Sequence, residues 1–356
     1  MVESAGLEIR CSRKVTVGSN PTPSASWEMS LLARPLRGLA SRFSGKFQAV
    51  ANEFKARSKI ESNVIIKPSV QTVAKIAKAL GVSMVKFKSG KTPLVKINEL
   101  CVKFNLANLF VKDESKNPFG TWKDRRSAMI VKKAKHEFVD KLCLITSGNA
   151  GFSLAKFANK SHIKIVPIVD INLPLSIKQA LKEICTEVVE VNLSEKILTS
   201  EEVITLAREN NKEVIWDATN GFHEAYESII KELKKEYPDY LVCPVGSGEG
   251  FVGLFNGLEK AKLKTKLIGV TPESSPSLAD KLHTPWTPYS AKIQSIFETG
   301  HEIIKLSEDE VRSAFAYAKD LMNCEPSSAV VVGALSKLNF EETDKIIIIN
   351  SGKGLI

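Results

Sequence analysis

Hydrophobic positions in the chain fall into two textures. From residue 91 onward, short apolar runs alternate with longer amphipathic segments. The runs "NLFVK" (108–112), "KLCLIT" (141–146), "IKIVPIVD" (163–170) and "EVVEV" (187–191) predict strands, as do "EVIWD" (213–217), "YLVCPV" (240–245), "KLIGV" (266–270) and "KIIIIN" (345–350). Helical spacing predicts helices between them over Ala150–Ala158, Ser176–Glu183, Ser200–Glu209 and Ala225–Lys235. Strand-then-helix alternation is the signature of parallel sheets covered by helices. Several runs are apolar throughout, as expected where both sheet faces are covered. The expected fold class is therefore α/β, with parallel-rich sheets flanked by helices.

Residues 1–90 read differently. "TVGSNPTPSAS" has neither period nor core, so residues 1–28 are expected to be a disordered tail or an over-extended start, with the true start at Met29 or later, and residues 1–47 together are read as a disordered or spurious leader. "SLLARPLRGLASRFSGKF" (30–47) is rich in Arg and Ser and lacks acids, the composition of an organelle presequence; the irregular stretch before it argues against that reading. Residues 48–88 have helical spacing. Ser69 after Pro68 suits a helix start, Val73, Ile76, Ala77 and Leu80 form one apolar stripe, and Gly81 suits a stop. This segment, with Gln48–Phe54 upstream, resembles a phage-repressor-type helix-turn-helix. About five residues of the turn and recognition helix are missing between Phe54 and Ser58, so DNA is not the expected partner.

Composition narrows the class. At 43% apolar and 25% charged, the chain reads as globular. No apolar run reaches membrane-spanning length. Residues 1–90 hold 15 Lys and Arg against 5 Asp and Glu, so the whole net charge of +10 resides there. The other 266 residues balance at 35 of each sign, which removes a basic surface as a theme of the body. The six cysteines show no CxxC pair, and Cys143 and Cys243 sit within apolar runs. That pattern suits buried thiols in a reducing, cytoplasmic setting. The five histidines lack ligand spacing, so no metal site is expected.

Chemistry is expected where four strands end. Lys123 follows the Gly-Thr-Trp turn after "LFVKDES"; "TSGNAG" (146–151), "GSGEGFVG" (246–253) and "NSGKG" (350–354) follow the other three. Ligands bind at the carboxyl ends of strands in open α/β sheets. A glycine-rich loop opening a helix presents amides to an anion, aided by the helix dipole. "GSGEG" is such a cradle, though neither a P-loop nor a dinucleotide fingerprint, because Gly246-x-Gly248-x-Gly250 lacks both registers.

The ordered set "KDESKNPFGTWKDR", "TSGNAG", "PVGSGEG", "EPSSA" (325–329) and "NSGKGL" resembles the pyridoxal-phosphate enzymes of the tryptophan-synthase-β type, fold type II, and among them the threonine synthases. The resemblance covers residues 91–356. It implies a large domain of residues 89–122 and 219–356 and a small one of 123–218. It implies that Lys123 forms the Schiff base with pyridoxal 5'-phosphate and then serves as general base at the substrate's α carbon. Gly246, Ser247, Gly248, Glu249 and Gly250 would cradle the phosphate, Asn149 would bond the ring's 3' oxygen, and Ser351 would face the ring nitrogen. Thr146, Ser147 and Gly148, with Asn149, would take the substrate carboxylate. Glu325 and Ser328 would line the ring.

The implied activity is a lyase reaction converting O-phospho-L-homoserine to L-threonine and phosphate, in a homodimer as is usual for the family. Some positions depart from the threonine synthase pattern. Phe119 stands for Thr, Thr121-Trp122 for Ser-Phe, Arg126 for Gly, Gly221 for Pro, and His223 for a phosphate-binding Arg. These threaten the substrate more than the cofactor, leaving cysteine synthase, serine/threonine dehydratase and diaminopropionate ammonia-lyase activities as alternatives. An amino-acid-sensing DNA-binding regulator is the alternative of another class.

Overall fold

The computed structural model describes residues 88–210, 213–284 and 287–354. The leader (1–47) and, but for Lys88, the helix-turn-helix-like segment (48–88) lie outside the described residues. Ten strands follow in chain order: β1 (Leu94–Lys96), β2 (Asn108–Asp113), β3 (Lys141–Ile145), β4 (Lys164–Asp170) and β5 (Val189–Val191), then β6 (Ile215–Asp217), β7 (Tyr240–Pro244), β8 (Lys266–Pro272), β9 (Glu302–Leu306) and β10 (Lys345–Asn350). The helices are α1 (Asn98–Phe104), α2 (Lys123–His136), α3 (Asn149–Asn159), α4 (Leu175–Lys182) and α5 (Ser200–Leu206), then α6 (Glu227–Leu233), α7 (Glu249–Ala261), α8 (Ser290–Phe297), α9 (Glu308–Met322) and α10 (Pro326–Ala334).

The strands form two sheets. One has the order β1-β2-β10-β7-β8-β9, the other β5-β4-β3-β6. All pairings are parallel except the antiparallel edge pair β1–β2. The reason β10 lies centrally is visible in its side chains: Ile346, Ile347, Ile348 and Ile349 are all fully buried. Successive strand residues face opposite sides. Ile346 and Ile348 join Val242 and Ile268 in a core with α9 and α10 residues such as Val311, Ala318 and Val331. Ile347 and Ile349 join Leu241, Cys243 and Leu267 in a second core with α6 and α7 residues such as Ile229, Ile230 and Leu254.

The smaller sheet repeats the scheme. Leu142, Leu144 and Ile165 pack on α2 and α3, while Cys143, Val166 and Ile168 pack on Val203 and Ala207 at α5. Burying each such side chain contributes about 1.5–3 kcal/mol, so both layers are held by the same alternation.

Every strand and helix named from residue 91 onward is present, with shifted ends. α5 stops at Leu206 rather than Glu209, and the first turn expected at Ala225 is a 3-10 turn over His223–Tyr226. Two strands lack a sequence signal. β1 has three residues with little burial, and β9, "EIIKL", mixes charge with apolar residues at a sheet edge. Both are recruited by a neighbour's unpaired backbone. Cys101, Cys143, Cys185, Cys243 and Cys324 are free thiols. No helix among the described residues is long and apolar enough to cross a membrane.

Candidate active site

The parallel register brings the carboxyl ends of β2, β10 and β7 side by side. Asp113 pairs with Asn350 across β2 and β10, and the Asn350 side chain donates to Asp113 Oδ1 (3.0 Å) and to the Met322 carbonyl (2.8 Å). Beyond β2 the chain makes a 3-10 turn over Glu114–Lys116 and a tight bend at Gly120 (φ 79°). The bend is stitched to the segment after β10: Trp122 N–H donates to the Ser351 carbonyl (2.8 Å) and Lys353 N–H to the Gly120 carbonyl (3.1 Å). Lys123 is thus the first residue of α2, held beside residues far from it in sequence.

The Lys123 ammonium lies 5.9 Å from the Trp122 ring centroid and 5.7 Å from that of Tyr226. Burial lowers its pKa to about 8. The Glu249 and Glu325 charges oppose that shift and Arg126 reinforces it. Such an amine is neutral often enough near pH 7 to attack a carbonyl or take a proton.

The loop after β7 opens α7. Gly248 is its N-cap, in the left-handed region at φ 83°, and a Cβ there would sit 2.5 Å from Ile293 Cδ1. A Cβ on Gly250 would lie 2.5 Å from the Trp122 ring. The loop is therefore pressed against the lysine's own turn. First-turn amides have no intrahelical acceptor, and no described residue accepts from the amides of Ser247, Gly248, Glu249 or Gly250. They are free to bind an anion. The Glu249 side chain leaves this set. It is 2% exposed and pairs with Arg126 Nε (2.7 Å), and it accepts from Phe222 N–H (2.9 Å) and Tyr289 O–H (3.3 Å).

The loop after β3 opens α3. Thr146 Oγ1 accepts from the amides of Gly148 (3.1 Å) and Gly151 (3.0 Å), and Thr146 N–H donates to the Ile168 carbonyl (3.0 Å). Thr146 and Gly148 thereby shape the turn with their own hydrogen bonds. Of the amides expected to receive a carboxylate, those of exposed Ser147 and of Asn149 are left without a described acceptor. Asn149 Nδ2 donates to Glu325 Oε1 (2.6 Å), and Lys281 bonds Glu325 Oε2 (2.6 Å) and Asn149 Oδ1 (3.5 Å).

At the end of β10, Ser351 is 5% exposed and its N–H donates to Ser328 Oγ (2.6 Å). The two hydroxyl oxygens are 3.3 Å apart, and Ser328 donates to Asn350 Oδ1 (2.8 Å). His223 opens the 3-10 turn, its ring 6.0 Å from that of Tyr289, with Nδ1 buried and without a partner among the described residues. Gly221, in the left-handed region at φ 91°, donates its N–H to the Tyr289 hydroxyl (2.8 Å). Phe222 packs against the core under α2 and α3.

Three contributors carried no clear sequence signal. Lys281 lies in a segment that reads as loop, Tyr289 in another, and Tyr226 within a helical pattern. Arg126 was visible as a departure from a small residue, but its partner, 123 positions away, was not. Glu325, in "EPSSA", was the one legible from its motif. Among the described residues, no group of three or more His, Cys, Asp or Glu side chains could hold a metal ion.

Residues 85–352 match the model of a family described as pyridoxal-phosphate dependent enzymes. The chain is 25% identical to a threonine synthase of Methanosarcina acetivorans over 321 residues, 77% of this chain and 76% of that protein. It is 29% identical to a cysteine synthase of a Flavobacterium species over 203 residues, 53% of this chain and 65% of that protein. Among solved structures, O-ureido-L-serine synthase superposes with a TM-score of 0.64 at 17% identity, covering 74% of this chain and 89% of that one. Threonine deaminase isoform 2 from Solanum lycopersicum superposes at 0.58 and 18% identity, covering 81% and 90%.

Proposed function

Because the chain belongs to the pyridoxal-phosphate dependent enzyme family, we propose that it is a lyase of the threonine synthase type, converting O-phospho-L-homoserine to L-threonine and phosphate. The observation that carries the reading is the meeting of Lys123, with an amine of pKa about 8, and the free amides of Ser247–Gly250 at neighbouring strand ends. The residues present fit the cofactor: a nucleophilic amine, unclaimed amides for a phosphate, and polar side chains for the ring in the Asn149 amide and the Ser351 hydroxyl. When bound, the group supplies an aldehyde carbon for an amine and a ring that draws electron density from the substrate's α carbon.

The chain's own residues do the rest. Lys123 Nζ would hold the cofactor's aldehyde carbon and, as an amine of lowered pKa, would take the proton from the substrate's α carbon. The amides of Ser247–Gly250 bind the phosphate, aided by the α7 dipole. The amides of Ser147 and Asn149 orient the substrate carboxylate at the start of α3. Ser351 would offer a hydroxyl, not a carboxylate, to the ring nitrogen and so would not require a proton there, which would weaken electron withdrawal. His223, half-buried beside Tyr289, is the residue we assign to the substrate phosphate, since it takes the sequence position of the phosphate-binding Arg of the threonine synthases.

The threonine synthase reading is favoured over β-replacement by the extent of similarity: 77% of the chain against 53% for the cysteine synthase. The test is release of inorganic phosphate from O-phospho-L-homoserine by the purified, cofactor-loaded protein, with threonine as co-product. Turnover of O-acetylserine with sulfide, or of serine, threonine or diaminopropionate, with no phosphate release, would replace this substrate by one of those. A homodimer is proposed as the working assembly, checked by sedimentation.

A further inference from the structure

The glycine cradle contains an acid. Glu249 is the first residue of α7, directly after the left-handed Gly248, among the amides that would meet a phosphate. An ionised carboxylate within a phosphate site repels its ligand, and this one is ionised. Burial alone would raise its pKa, yet the charges of Arg126 and Lys123 and the Phe222 N–H outweigh burial and hold it below the ordinary carboxylate range. Of the two cations, Lys123 titrates near 8 and is consumed in holding the cofactor. Arg126 is the cation that the cofactor does not engage covalently.

Arg126 is built into this position. It is 2% exposed, its Nε lies 2.7 Å from Glu249 Oε2, and its Nη2 donates to the carbonyls of Ala218 and Thr219. Its Nη1 is buried and has no partner among the described residues, as is the Tyr226 hydroxyl. The guanidinium thus satisfies one acid, ties down the 218–219 backbone and retains a spare donor.

We propose that Arg126 is a positioning residue for the cofactor: it neutralises Glu249 and keeps that carboxylate turned away, so that the amides of residues 246–250 can donate to the phosphate dianion. The pair makes an acid tolerable in the loop, and its two members are not equivalent: the carboxylate alone would repel the phosphate, whereas the guanidinium alone would not. Arg126→Met leaves a bare carboxylate in the cradle. Glu249→Gln leaves a spare cation near an anion.

The proposal rests on the reading that residues 246–250 hold the phosphate, and the test separates the two. Apo-protein is titrated with pyridoxal phosphate and, in parallel, with pyridoxal, which lacks the phosphate, following absorbance and protein fluorescence. R126M should weaken pyridoxal phosphate binding ~100-fold while changing pyridoxal binding less than ~3-fold, on the scale of a buried charge left unpaired. E249Q should bind pyridoxal phosphate as tightly as wild type or tighter. R126M/E249Q should recover to within ~10-fold of wild type, a coupling expected only of groups that interact. R126K, which retains the charge, should recover part of the loss. If R126M does not fold, the comparison of R126M/E249Q with E249Q decides: a further loss of ~100-fold overturns the proposal, and near-equality supports it. Equal losses for pyridoxal and pyridoxal phosphate would reduce the pair to a strut and overturn the proposal alone. Equal affinities of the wild-type protein for both ligands would overturn the cradle reading and the proposal with it.

Discussion

The amine of Lys123 titrates about 2.5 pH units below an ordinary lysine, at about 8 instead of 10.5. At pH 7 this leaves roughly a tenth of the amine neutral, against about one part in three thousand for an exposed lysine, a difference of roughly 300-fold. The neutral form is the one that attacks an aldehyde, so lowering the pKa moves reactivity to lower pH. Mixing apo-protein with pyridoxal phosphate at fixed concentration and following the absorbance of the covalent adduct gives a capture rate at each pH. The rate should climb about tenfold per pH unit up to 8 and flatten above it. The Glu325 charge raises the Lys123 pKa, so E325Q should move the inflection to lower pH. A rate still climbing tenfold per unit between pH 9 and 10 would show an ordinary solvated lysine and refute the reasoning. K123A should form no adduct at any pH, and adduct in that variant would assign the attachment to another amine.

Two further outcomes follow from packing and linkage. A Cβ at Gly253 would lie 2.1 Å from the His223 carbonyl oxygen and 2.9 Å from Tyr226 Cβ, and a backbone carbonyl cannot swing aside; after the helix-propensity gain of alanine, G253A should cost about 1–3 kcal/mol and lower Tm by several degrees, with an unchanged Tm as the refuting result. Asp124 is fully buried, and burial raises its carboxyl to about 6 although Ser153 and the Phe119 amide donate to it. The folded state then keeps the proton to higher pH than the unfolded chain does, so this group's contribution is present below about pH 4 and is lost as pH rises towards 6, by up to about 3 kcal/mol. D124N should remove that slope, and urea unfolding of both proteins at pH 4.5 and 6.5 measures it; parallel shifts in the two proteins would refute the assignment.

How much of the site was legible is best seen residue by residue. Lys123, Asn149 and the 246–250 loop were visible because each interrupts a strand–helix alternation at a strand's carboxyl end. Their side-chain partners were not. Nothing local marks Lys281 as the cation that holds Glu325, since the segment around it has no period. Thr146 Oγ1, by contrast, takes up the Gly148 amide two residues on, a local turn of the kind Ser and Thr make. Arg126 was legible as a departure and Glu249 only as a member of the glycine loop, and the fold alone turns them into a pair.

The chain's own pattern determined the alternation of buried strands and covering helices, because side-chain period is a local property and apolar runs such as Ile346–Ile349 can be satisfied only between two helical layers. Which strands became neighbours was decided in three dimensions. β2 pairs with β10 across more than two hundred residues, and that pairing sets Lys123 beside Ser351. The state of each polar group was decided there too. The low pKa of Lys123, the turned-away carboxylate of Glu249 and the raised Asp124 all arise from burial among groups distant in the chain, and desolvation belongs to the packed molecule alone.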